Sequence, residues 1–160
     1  MDAHEYRRTL EEFFQGEVTG EALFHCLAES LDDSEHRHQM RVMEQLERET
    51  KELLRPYVAR LGGDTKESVA ARDLGVAQAK AMAPMPWGKF LHIFQREVRK
   101  FVARFEEVER LGPSEDAKLL AAVTAHEKAL LAYSERESSG QGDPLQPIVA
   151  LLRSVPARSR

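Results

Sequence analysis

The sequence predicts an all-α fold: a four-helix bundle with a short connecting helix and a C-terminal docking helix. Three observations predict it. Apolar residues recur at three- and four-residue steps through four long segments. Nowhere is there the alternation of a half-buried strand. The breaks between segments carry Gly, Pro and capping residues, where helices stop and start. A chain of 160 residues suits one domain with a real core, expected over residues 1–155, with 156–160 as a disordered tail.

The first helix is expected from about Ala3 to Leu31, on Leu10, Phe13, Phe14, Val18, Phe24, Leu27 and Leu31. Gly16 and Gly20 interrupt it, each costing about 1 kcal/mol against Ala unless a bend or a close neighbour uses it. Asp32-Asp33-Ser34 supplies N-cap candidates for a second helix, Glu35 to Leu61, with a kink expected near Pro56. Gly62-Gly63 ends it. Asp64 or Thr65 is expected to cap a weaker, Ala-rich third helix running to Met82. After Ala83-Pro84-Met85-Pro86 comes the strongest stripe, Trp87 to Leu111, on Trp87, Phe90, Leu91, Phe94, Val98, Phe101, Phe105 and Val108. Gly112-Pro113-Ser114 leads into a helix to about Glu137, and Pro144 to Val155 predicts a short docking helix.

Composition removes several function classes. Charged residues make up 31% of the chain and the net charge is −4, so there is no electrostatic footprint for nucleic acid. No apolar run of about 18 residues is present, so no membrane span is predicted. The N-terminus, MDAHEYRRTLEE, is charged and lacks a signal-peptide core, which places the protein in the cytoplasm. The single Cys26 allows no internal disulfide and reads as a small apolar residue. No phosphate-cradling Gly loop, nucleophile elbow or HExxH pair occurs, so no catalytic residue is assigned.

The functional clue lies in the stripes. Glu17 and Glu21 project from the same face of the first helix as its large apolar residues. In the second, Glu47 sits four residues after Met43, with Glu44 about one turn before it. In the Trp87 helix, Glu97 falls between Phe94 and Phe101. In the next, His126 falls between Val123 and Leu130, with Glu127 beside it. A buried carboxylate must be protonated, paired or metal-bound. Carboxylates with imidazole suit iron or manganese, and no soft sulfur ligand accompanies them. For each glutamate alone, a stripe edge with its head in water is the plain alternative.

In GEVTGEALF (16–24), MEQLERET (43–50), FQREV (94–98) and TAHEKAL (124–130) the chain resembles the ferritin-like superfamily. That resemblance implies a di-iron or di-manganese carboxylate site with Glu21, Glu47, Glu97 and His126 as ligands. Thr50 stands where a second-helix His belongs and Val123 where a fourth-helix Glu belongs. The implied set is therefore reduced, with Glu17, Glu44 or Glu127 as supplements. The competing expectation is a metal-free binding or interaction module. In it the inward acids pair with Arg96, Arg48 or Lys100, or line a pocket for a cationic or hydrophobic small molecule. The apolar segment 145–152 would then act as a lid or a homodimer contact. A ligand-sensing domain detached from a regulator ranks last, because no basic recognition helix is present.

Overall fold

The computed structural model describes residues 1–158, and among these every regular element is helical. The chain divides into two compact units. The first comprises Met1–Pro84 together with the C-terminal residues from Leu152, and the second is Met85–Leu151. No helix among the described residues is long and apolar enough to cross a membrane.

The first unit is built from α1 (Ala3–Ser30), α2 (Ser34–Arg60) and α3 (Val69–Met82), with α1 packed against both others. Asp2 caps α1 by accepting from the Glu5 amide at 2.8 Å. Of the three candidate caps for α2, Asp33 is the one used, accepting from the His36 amide at 2.9 Å. α2 continues through Pro56 and ends in a glycine cap. Gly62 takes φ +73°, and the Gly63 amide returns to the Val58 carbonyl at 2.9 Å. The core residues Leu10, Phe14, Leu27, Met40, Met43 and Leu54 are those the period selects.

α3 starts later than expected, with Ser68 as its cap, because side chains of the older helices hold the preceding segment. Glu11 accepts from the Asp64 amide at 3.0 Å. Gln15 donates to the Lys66 carbonyl at 2.8 Å and accepts from the Ser68 amide at 3.0 Å. Arg55 donates to the Thr65 carbonyl at 2.7 Å. These bonds satisfy backbone groups that a longer helix would otherwise have paired internally. The C-terminal residues of this unit also bond to α2. Glu49 accepts from the Arg153 and Ser154 amides at 2.9 and 3.1 Å, and Arg158 pairs with Glu35. Residues 159 and 160 of the expected tail lie outside the described residues.

The second unit holds α4 (Trp87–Leu111), a single 3-10 turn (Ser114–Asp116), α5 (Ala117–Ser138) and α6 (Gln146–Val149). α5 packs against α4 and α6. Trp87 stacks on Phe90 and Phe90 on Phe94, and Phe94 meets Tyr133 of α5 edge-on at 6.3 Å. The stripe of α4 is buried as expected except at Trp87, which is partly exposed, and at Phe101, which is 53% exposed. Periodicity gives the direction of a side chain but not the presence of a neighbour over it. The docking helix is one turn instead of three: Leu145 and Ile148 are buried, and Leu151 is exposed.

Two glycines of the first unit give opposite expectations. A Cβ on Gly75 would meet the Thr19 carbonyl well inside contact and the Ala22 Cβ at 2.9 Å, both on α1. Gly75→Ala should therefore cost about 1–3 kcal/mol by forcing α3 from α1. A Cβ on Gly16 meets nothing within 4 Å. Gly16→Ala should gain about 0.5–1 kcal/mol through helix propensity. Urea unfolding of both variants checks the pair of signs.

Candidate functional site

The acids of α1 and α2 fall into two sets with different environments. The first is Glu17 of α1 and Glu47 of α2, 3% and 5% exposed. A carboxylate oxygen of each lies within 4.8 Å of the other. Phe13, Phe14 and Val18 flank Glu17 along α1, and Met43, Leu46 and Thr50 flank Glu47 along α2; all are buried. Glu47 reaches inward because α1 presents Gly20 opposite it: a Cβ there would lie 2.5 Å from Glu47 Oε2 and 2.7 Å from Cδ. Gly20 is thus a cradle for a carboxylate, and that close approach accounts for a glycine in the helix interior. Two carboxylate charges this near each other out of water repel, and a neighbouring cation or a metal relieves that repulsion.

The second set is engaged by cations. Glu21 accepts from Arg48 Nε at 3.0 Å and from the Lys51 ammonium. Glu44 accepts from Arg48 Nη2 at 2.8 Å and sits 3.0 Å from His25 Nδ1. Lys51 also donates to Glu67, whose second oxygen lies 3.7 Å from Arg72. The result is a chain of alternating charge, His25–Glu44–Arg48–Glu21–Lys51–Glu67–Arg72, joining α1, α2, the segment before α3, and α3 itself. The Lys51 side chain is only 7% exposed. Burial alone would push its ammonium down, but the hydrogen bonds it donates to Glu21 and Glu67 outweigh that and hold it above the ordinary lysine value. Glu67 is held below the usual carboxylate range, chiefly by its bond to Lys51.

In the second unit, His126 and Glu127 are buried on α5, with His126 Nε2 4.0 Å from Glu127 Oε1. Glu97 on α4 is half-exposed and accepts from Lys100 Nζ at 3.0 and 3.1 Å and from Arg96 Nε at 3.4 Å. The Lys100 bond is the main reason its carboxyl lies below the usual range. Arg48, Lys100 and Arg96 are the partners that the metal-free expectation names.

Sequence reasoning passed over Lys51, Gly20 as a cradle, and Glu67. Lys51 had a signal: it stands four residues after Glu47, on the same helical face. Glu67 had none, because its position depends on how Glu11, Gln15 and Arg55 hold the segment around it. Comparison of the chain with protein-family models, curated proteins and solved structures finds no match.

Lys51→Met should destabilise the protein by about 1–3 kcal/mol, since it leaves Glu21 and Glu67 facing each other with their shared cation gone. The raised Lys51 group contributes fully below its unfolded value, about 10.4, and loses that contribution as pH rises through the folded value. The depressed Glu67 group contributes above its unfolded value, about 4.3, and loses it as pH falls through the folded one. The wild-type minus variant difference should therefore be flat from roughly pH 5 to 10 and shrink on both sides, as chemical denaturation across pH would show.

Proposed function

We propose that the chain is a ferritin-like helical metal-binding protein in which Glu17 and Glu47 hold a divalent iron or manganese ion. The observation that supports it most is the approach of two buried carboxylates from adjacent helices, one of them lying over Gly20 of the facing helix. Hard oxygen donors favour iron or manganese over metals that prefer sulfur. A bound ion would offset the repulsion between the two acids and supply Lewis-acid or redox chemistry. The protein's own part is to fix the carboxylates and keep the neighbourhood apolar through Phe13, Phe14 and Met43. The ferritin-like resemblance implies His126 as a further ligand, a role that rests on the sequence pattern. A cytoplasmic location belongs to the same reading.

The test is metal analysis of protein purified without chelator, with thermal unfolding in added Mn(II) or Fe(II). Near-stoichiometric metal and a raised Tm are expected; saturation at about 100 times Kd gives roughly 2.7 kcal/mol. The double variant Glu17→Gln, Glu47→Gln should lose both effects. His126→Ala should weaken binding if the imidazole is a ligand and leave it unchanged otherwise. Less than about 0.2 equivalents of metal in the wild-type protein, with a Tm indifferent to metal, overturns the reading.

A second reading, a metal-free binding module, draws on the ion pairs of Glu21 with Arg48 and of Glu97 with Lys100 and Arg96. Acids already neutralised by cations would have to give up those partners to ligate a metal. In this reading stability responds to an organic ligand and not to metal ions.

A further inference from the structure

The alternating charge chain lines a cavity of about 560 Å³ in the first unit, among α1, α2 and α3. That volume lies in the usual range for small-molecule sites, roughly 300–1,000 Å³. Its apolar wall includes Val18 and Ala22 of α1 and Val76 of α3. We propose that this cavity binds a small organic amine, with the ammonium at Glu44 and Asp73 and the alkyl part against Val18, Ala22 and Val76.

The cations of the cavity are largely committed. Arg48 directs Nε to Glu21, Nη1 to Gln45 and Nη2 to Glu44. Lys51 directs its ammonium to Glu21 and Glu67. Four carboxylates (Glu21, Glu44, Glu67 and Asp73) and three cations (Arg48, Lys51 and Arg72) line the cavity, so acidic side chains outnumber basic ones in the lining by one, with Arg41, outside the lining, 4.0 Å from Glu44. The most confined acceptor is Glu44, only 8% exposed. Its Oε1 takes both the His25 and the Arg48 contacts, whereas Oε2 has Arg41 at 4.0 Å, beyond hydrogen-bond reach. A buried carboxylate oxygen gains most from a charged donor. An ammonium brings three N–H groups and no acceptor, which suits a wall of acceptors. A carboxylate ligand would have Arg72 to meet, itself drawn to Glu67 at 3.7 Å, and four carboxylates to oppose it.

The test uses the full chain, treated with chelator so that metal binding at Glu17 and Glu47 does not enter. Calorimetry and thermal unfolding are run at low salt with n-butylamine and putrescine, and with butyrate as the anionic control. Both amines should bind and raise Tm with dose, and butyrate should do neither. Asp73→Asn, on the exposed face of α3, should weaken amine binding about tenfold with unchanged Tm, the loss of one charge-assisted contact. Glu44→Gln should weaken it at least as much. Val76→Trp should abolish it by filling the cavity. Should Glu44→Gln fail to fold, the Asp73 and Val76 variants decide. Absence of amine binding, equal binding of butyrate, or amine binding unchanged in both Asp73→Asn and Val76→Trp overturns the proposal.

Discussion

Removing a carboxylate from water is costly unless something compensates it, and the contact between α1 and α2 is organised around that cost. Four glutamates, Glu17, Glu21, Glu44 and Glu47, stand on these two helices where they face each other. Arg48 and Lys51 both come from α2 and both reach Glu21 of α1, so the contact is fastened by opposite charge along one flank. Along the interior, Glu47 lies over Gly20, and the helices approach closely because α1 has no side chain at that point. The register of α1 on α2 satisfies both demands at once. Sliding α1 by a turn would bring Gly16 or Phe24 to the place of Gly20 and separate Glu21 from its cations.

The same constraint extends to the segment before α3. Lys51 needs more than one acceptor to hold a charge at its depth, and Glu67 supplies the second. Glu67 comes from a segment without regular structure, so its backbone must be held by other means. Glu11, Gln15 and Arg55 hold it, and Ser68 then caps α3. α3 can lie close on α1 because Gly75 faces the Thr19 backbone, where Thr19 also donates to the Ala71 carbonyl. A buried lysine in α2 is thus connected, through a held segment, to the placement of α3 on α1.

Much of the helical fold was legible because it follows from short-range physics. The period of Leu10, Phe14, Leu27, Met40, Met43 and Leu54 marks the buried face, and Asp33 and Gly62 carry their capping roles in their residue type. The limits of α3 and α6 were less legible. α3 starts at Val69 because of bonds from residues more than fifty positions away in α1, which no local propensity contains. α6 is a single turn although its residues have a helical period. The acids divide in the same way. That Glu47 points inward could be read from its place between apolar residues, whereas on α1 the sequence pattern puts Glu21 first and Glu17 only as a supplement, and Glu17 is the more deeply buried of the two. That Glu21 would instead meet Arg48 and Lys51 depends on the flank of α1 it faces, a matter of tens of degrees around the helix. A one-residue error in phase is about 100°, enough to exchange a paired acid for a buried one.

That difference of phase also gives the two sets of acids different chemistry. Glu21 and Glu44 face cations that cannot readily leave: the Lys51 ammonium is buried, and Arg48 divides its guanidinium between both acids. Exchanging such partners for a metal would strand a buried positive charge, which is the costly half of breaking an ion pair. Glu17 and Glu47 bring carboxylate oxygens within 4.8 Å of each other, a spacing that a metal cation could bridge. On one pair of helices, then, acids a single turn apart have different surroundings. Glu21 and Glu44 are tied to Arg48, Lys51 and His25 along the flank, and Glu17 and Glu47 lie in the apolar interior.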